Sequence, residues 1–308
     1  MKKYFYGYSI FFLFLMLTFV ACNKLGNANE NQETILKGST TILVDESLKP
    51  IVEDQVAVFE SKYDAKIRLD AKSEKEVLLS FLKDTSSIIV LSRPLDSNEI
   101  KTFQKRKVIP KVTKFATDAI ALISNKSNND TLIDLKAVVA FMKGGLNTKI
   151  KGLVFDNPNS SSVRYMNQLA GLKQTPAKGI FSFKTNEEVI QFVSENEGMI
   201  GVVGVNWLMQ PTPAMEKSLA NINVLNVKGL EATNYYAPTQ NNLAEGTYPL
   251  TRDLYLINCQ GFSGLGMGFA SFIAGDIGQR IVLKSGLLPV QMPGRNIIIR
   301  KEIEKTKK

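Results

Sequence analysis

Three consecutive hydroxyls and an arginine, Ser160-Ser161-Ser162-Val163-Arg164, are the sharpest chemical feature of this chain. They follow an apolar run, Lys151 to Phe155, and a loop, Asp156 to Asn159, and they open a helix that runs to about Leu172. At a helix start the free amides and the positive end of the dipole favour an anion. Hydroxyls there can donate further hydrogen bonds, and a guanidinium offers a planar fork to an oxyanion. Three other clusters share this setting: Asp45-Glu46-Ser47 after the first apolar strand, Lys72-Ser73 after the second and Ser92-Arg93 after the third. The candidate ligand set is therefore Ser47, Ser73, Ser92, Ser160, Ser161 and Ser162 as hydrogen-bond donors, Arg93 and Arg164 as charge, and Asp45 and Glu46 as carboxyls beside the ligand. Each also has a purely structural use: the serines can cap helices, Ser73 can close a capping box with Glu76, and Arg93 precedes Pro94 in a turn.

Other chemistries are poorly supplied. The chain has no histidine, which removes the commonest general base and the commonest zinc ligand, so neither catalysis nor a metal or other cofactor is expected. Gly264-x-Gly266-x-Gly268 follows a strand but lacks the spacing and the distal acid of a dinucleotide fingerprint. Trp207 and the aromatics near it are expected to pack. Cys259, at the end of Leu254-Tyr255-Leu256-Ile257-Asn258, reads as a small packed residue. Lys and Arg number 38 against 29 acids. That excess is spread in short runs such as Lys105-Arg106-Lys107, without the aromatic-studded stripe of a nucleic-acid surface, and suits solvent or anionic headgroups better.

The elements that must position these residues alternate. Thr41–Val44, Ile67–Leu69 and Ser87–Leu91 read as strands, each followed by a helix: one from Ser47 to about Phe59 with Leu48, Ile51, Val52 and Val56 on one face, one opened by Ser73, one by Asp96 and Glu99. A second set has strands at Asp118–Ser124, Lys151–Phe155 and Met199–Val203. Its helices run from Leu132 to Gly144-Gly145, from Ser160 or Ser161, and from a cap of Thr185 with Glu188. A strand at Asp253–Ile257 and helices at Leu265–Ala274 and Ile277–Ser285 close the chain. This is the pattern of an α/β protein with mostly parallel sheets, whose ligands lie beyond the carboxyl ends of the strands.

The first 22 residues have another job. Lys2 and Lys3, the apolar run Ile10 to Val20 and Ala21-Cys22 have the layout of a secretory signal, too short to span a bilayer. The cysteine after Ala21 makes the segment similar to a bacterial lipoprotein signal, with Cys22 as the lipidated residue, though Phe19 stands where leucine is usual. Removing 22 of 308 residues leaves 286, enough for two domains, and taking Lys2 and Lys3 from a net charge of +9 leaves +7. Residues 23–34, rich in Asn, Gln, Lys and Glu, read as a tether.

Seven segments occur in a recognisable order: Gly38-Ser39-Thr40-Thr41, Ser92-Arg93-Pro94-Leu95, Asp118-Ala119-Ile120-Ala121, Ser160 to Ser162, Gly198-Met199-Ile200-Gly201, Tyr248-Pro249-Leu250-Thr251-Arg252, and Gly278-Gln279-Arg280-Ile281 through Gly286-Leu287-Leu288-Pro289. In this order the chain resembles the periplasmic phosphate-binding proteins, type II solute-binding components of phosphate ABC importers. The resemblance implies a two-lobed fold, each lobe a mostly parallel sheet flanked by helices, with crossing strands near Ala116–Ala119 and Leu250–Asp253. Residues 35–117 and 252–308 would form lobe 1 and 118–251 lobe 2. It further implies phosphate or a related small oxyanion in the cleft, hinge closure, ABC permease and ATPase subunits as partners, a monomer, and a periplasm-facing place in a bacterial envelope.

The chain also departs from that family. Ser160-Ser161-Ser162 replaces a frequent Ser-Gly-Thr, Asp156 stands where an arginine is common, and Asp45-Glu46-Ser47 replaces a Thr-Phe pair. Asp45 or Asp156 could accept a proton that phosphate carries and sulfate lacks. Alternatively, so acidic a loop suits an envelope scaffold that keeps the fold without the anion.

Overall fold

The computed structural model describes residues 33–83, 88–145 and 149–294. The signal, Cys22 and most of the tether lie outside the described residues. In chain order the elements are β1 (Gly38–Asp45), α1 (Lys49–Lys62), β2 (Ala65–Lys72), α2 (Glu74–Lys83), β3 (Ile88–Leu91), α3 (Ser97–Lys105), β4 (Lys111–Asn125), β5 (Leu132–Asp134), α4 (Leu135–Met142), β6 (Gly152–Phe155) and α5 (Ser161–Ala170). Then come β7 (Ile180–Ser182), α6 (Asn186–Glu195), β8 (Met199–Gly204), α7 (Val205–Met209), β9 (Ile222–Val224), β10 (Asn226–Lys228), β11 (Tyr235–Tyr236), β12 (Thr251–Asn258), α8 (Leu265–Ala274), α9 (Asp276–Lys284) and β13 (Leu288–Pro289), with short helical turns between. Among these residues no helix is long and apolar enough to cross a membrane.

The strands run β2-β1-β3-β12-β4-β8-β6-β7, with β9 and β13 also paired to β4. The first lobe carries the parallel trio β2-β1-β3 and the second the parallel trio β8-β6-β7. Between them β4 runs unbroken: up to Ala119 it pairs antiparallel with β12, and from Ile120 with β8. At the changeover the Ile120 amide donates to the Leu250 carbonyl (2.9 Å) and the Tyr248 hydroxyl to the Ile120 carbonyl (2.7 Å), which ties the returning chain to β4. A fold of two α/β lobes joined by crossing strands is thus the architecture.

Local chemistry explains most boundaries. Asp96 and Glu99 close a full capping box at α3, Ser160 caps α5, Thr185 caps α6, and Gly171 ends α5 with a left-handed φ of 66°. The helix expected from Leu132 starts instead at Leu135. Asp134 caps it by accepting from the Lys136 amide, and Leu132–Asp134 pair with β10 as a strand. Likewise β4 begins at Lys111 rather than Asp118, because pairing with β12 extends a stretch whose own residues, Lys111 to Lys114, lack an apolar run.

In β1 and β3, Ile42, Val44, Ile88 and Val90 join the main core, while Leu43, Ile89 and Leu91 turn to a second cluster with Val77, Phe81, Phe103, Ile257 and Cys259. Each such side chain contributes about 1.5–3 kcal/mol on burial. Trp207 lies in the main core, and burial pushes the Cys259 thiol up to about 12, which leaves it an unreactive packing group.

Glu33, expected in the tether, already touches the fold. Glu33 Oε1 accepts from Gln260 Nε2 (2.9 Å) and from the first amide of α8, Leu265 (2.7 Å), so a carboxylate covers that helix start. The glycine run here serves packing, since a Cβ on Gly268 would lie 1.7 Å from the Ile35 carbonyl oxygen. Gly268→Ala is expected to cost about 1–3 kcal/mol in urea unfolding; an unchanged midpoint would show that the entry segment is not seated on α8.

Candidate functional site

The polar core lies where the two lobes meet. Asp118, on β4, and Arg252, on β12, are direct cross-strand partners. Arg252 Nε (3.0 Å) and Nη2 (2.8 Å) both donate to Asp118 Oδ2, and Nη1 reaches Ser161 Oγ at 2.9 Å. Ser161 Oγ in turn lies 3.1 Å from Ser47 Oγ, which also donates to Asp45 Oδ2 at 3.0 Å. Ser47 comes from the turn between β1 and α1 and Ser161 from the first residue of α5, so this chain of hydroxyls links the lobes. Asp45, Ser47, Asp118, Ser161 and Ser162 are fully buried, and Ser162 Oγ has no hydrogen-bond partner.

Beside it stands a ring of carboxyls. Glu46 accepts from Asn186 Nδ2 (2.7 Å) and from the Asn186 amide (3.3 Å) at the start of α6. Asn186 Nδ2 also reaches Asp156 Oδ2 (3.3 Å), and Asp156 Oδ1 accepts from Ser160 Oγ (2.6 Å). Asn206 Nδ2, in α7, donates to the Ser47 carbonyl (3.2 Å), and Gly204 is needed here because a Cβ would lie 3.0 Å from that same oxygen. Burial, with Glu74 nearby, pushes the Asp45 carboxyl up to about 7, and burial, with Asp156 nearby, pushes Glu46 up to about 8. Burial raises Asp156 as well. Burial works against the Arg252 charge, but the Asp118 and Asp45 carboxyls more than offset it and hold its pKa above the ordinary value. The place is therefore one firm cation held by Asp118, several hydroxyls, and carboxyls that burial biases toward the protonated form. That is a setting for an oxyanion, with protonated carboxyls as extra donors.

A second cluster closes the mouth. Glu74, buried at the start of α2, accepts from Arg164 Nε (2.6 Å) and Nη2 (3.1 Å) across the lobes and from Arg93 Nε (3.2 Å). Arg93 also holds Glu99 through both terminal nitrogens (2.9 and 2.8 Å), and Arg164 Nη2 reaches Ser92 Oγ (3.2 Å). Ser73 Oγ donates to Glu76 (2.6 Å), within its own helix start.

The structure thus separates the sequence candidates. Asp45, Glu46, Ser47, Ser160, Ser161 and Ser162 meet in the interior. Ser92, Arg93 and Arg164 gather around Glu74, and Ser73 turns to Glu76, so the expectation that Arg93 and Arg164 supply charge to the interior is corrected: Glu74 and Glu99 take their guanidinium groups. The interior cation is Arg252, which the motif reading passed over together with Asp118, Asn186 and Asn206. A signal existed, since Asp118 opens an apolar strand and Arg252 stands at the other crossing, and two opposite charges in crossing strands need each other. Among the described residues no group of His, Cys, Asp and Glu is placed to hold a metal ion.

Fold and site together define a two-lobed α/β binding protein with its polar cluster between the lobes. Residues 29–276 match the model of the PBP superfamily domain, and the chain belongs to that family. It is 22% identical over 249 residues to the phosphate-binding protein PstS of Pseudomonas aeruginosa, covering 73% of this chain and 74% of the relative. A Clostridium perfringens substrate-binding protein assigned to a phosphate ABC transporter, solved with bound phosphate, superposes with a TM-score of 0.68 at 21% identity, over 82% of this chain and all of that one. An ABC-type phosphate transport receptor from Vibrio cholerae gives 0.60 at 17% identity, over 80% and 98%. These relatives are binding proteins rather than enzymes.

Two outcomes follow from the buried charges. Arg252→Met, which strands Asp118, is expected to lose about 3–5 kcal/mol in urea unfolding, and Arg252→Met with Asp118→Leu to recover part of it; equal losses in both would show that the pair is not coupled. Asp45 and Glu46 keep protons in the folded chain that they release in the unfolded one above their ordinary values of 3.8 and 4.5. The contribution of these two groups to stability is then full in acid and falls as pH rises from about 4 through about 8, by more than about 2 kcal/mol. Asp45→Asn with Glu46→Gln should flatten that slope, and a profile as steep as the parent's would exclude these two groups.

Proposed function

We propose that the protein captures phosphate, or a related small oxyanion, between its lobes and delivers it to an ABC permease with its ATPase. Lobe 1 comprises residues 35–117 and 252–308 and lobe 2 residues 118–251, and closure brings Ser47 and Ser161 onto the same anion. The observation that carries the reading is the convergence of Arg252 and hydroxyls from both lobes in a buried place, in a chain whose relatives include proteins named for phosphate binding. Ser160 and Ser162 flank that place, and burial biases Asp45, Glu46 and Asp156 toward the protonated form, which lessens their repulsion of an anion and lets a protonated carboxyl donate to it. Ser73, Ser92, Arg93 and Arg164 stand at the mouth, where the Glu74 ion pairs hold the closed form. Cys22, lipidated as the first residue of the processed chain, holds the protein, as a monomer, on the periplasmic side of a bacterial envelope membrane.

A second reading has one observation in its favour: Glu74 and Glu99 already occupy the two mouth arginines, as they would in an envelope scaffold that keeps the fold and binds no anion. Titration calorimetry with phosphate and with sulfate decides between them. Heat with phosphate and a much weaker response to sulfate are expected; no heat with phosphate would establish the scaffold. Ser161→Ala is expected to weaken phosphate binding at least ten-fold, since a hydrogen bond to a charged group contributes about 1.5–3 kcal/mol. Unchanged affinity in that variant would move the anion elsewhere.

A further inference from the structure

We propose that the base of the first lobe is a docking face for the surface of an anionic lipid bilayer. The face is built by the end of α3, residues 106–110 and the start of β4, and it stands apart from the anion reading of the cleft. Lys101, Lys105, Arg106, Lys107, Lys111 and Lys114 fall within a stretch that contains no acid. Among the described residues, Lys114 alone of the six makes an ion pair with a carboxylate, that of Asp253. Apolar side chains stand out between these cations: Ile109 is 81% exposed and Val112 48%. They edge an apolar groove of about 260 Å³ that continues over Leu95 and Ile100. Cations beside exposed aliphatic groups match a headgroup layer with acyl chains beneath it, whereas a nucleic acid would leave the aliphatic groups without a counterpart.

The topology sets the orientation. Asn258, the last residue of β12, pairs with both Lys111 and Ile88, so the cations lie at the end where β3 and β4 begin, opposite Asp45, Ser73 and Ser92 at the strand ends that face the cleft. The described chain enters at that same base. Glu33 is held by Gln260 and Leu265 just beyond Asn258, and Phe262 in that connection is half exposed. The place where the chain arrives from residues 1–32 and the basic, apolar face therefore share one end of the lobe, and docking there leaves the cleft uncovered.

The test is amide hydrogen exchange of residues 105–112 in the full chain with vesicles of phosphatidylcholine alone and of phosphatidylcholine with phosphatidylglycerol. Any amino-terminal anchor acts in both, so the comparison isolates the surface. Exchange at least about five-fold slower on the anionic vesicles is expected, and this protection should vanish in Lys105→Glu/Lys107→Glu/Lys111→Glu, whose exposed sites leave the unfolding midpoint in place. Equal exchange on both vesicles, or protection that survives the triple variant, would overturn the proposal. Protection that grows with protein concentration in the absence of vesicles would assign the face to a second copy and overturn it equally.

Discussion

One guanidinium in the interior, Arg252 against Asp118, organises the region between the lobes. Removing such a pair from water costs several kcal/mol per ion, which only close geometry can offset. The geometry comes from the sheet itself, because the two residues are opposite one another on antiparallel strands. The pair stands where β4 passes from one lobe to the other, so the charge is fixed at the crossing itself. From there its remaining nitrogen orients Ser161, and Ser161 orients Ser47.

This arrangement changes the meaning of the acids around it. On paper Asp45, Glu46 and Asp156 make the cleft hostile to an anion. In place they lack cations of their own, are buried, and have Asn186 and nearby hydroxyls as hydrogen-bond partners. Burial then favours the neutral carboxyl, whereas Glu74 and Glu99 at the mouth pair with Arg93 and Arg164. Apart from the central Arg252–Asp118 pair, the ion pairs of this region lie at the mouth, and the carboxyls without such partners lie inside.

Much of the fold was legible in the residues. Apolar runs marked the strands with both faces covered, and Asp96, Ser160 and Thr185 announced their helices because a cap is a local event. The first half of β4 was not legible, since Lys111 to Lys114 take their strand from a partner more than a hundred residues away. The same limit governed the site. Side chains at helix starts could be picked by type, and six of them do meet. Whether an arginine faces a ligand or a carboxylate depends on what stands across the cleft, and Glu74, an ordinary first-turn acid in sequence, decides that for both Arg93 and Arg164. The seven ordered segments of the resemblance contained Asp118 and Arg252 but said nothing of their pairing, which register alone reveals.

The place of β12 in the sheet bears on how the protein is made. It is inserted between β3 and β4, yet it is synthesised long after both. The second lobe's trio, β6, β7 and β8, belongs to one uninterrupted stretch, and its partner β4 precedes it, so that half can assemble first wherever the chain emerges amino terminus first. The first lobe has to wait, with the edges of β3 and β4 unpaired until residue 258 arrives. Chain order therefore imposes a sequence on assembly, and the interval before β12 joins is when the protein most needs a chaperone or a fast final step.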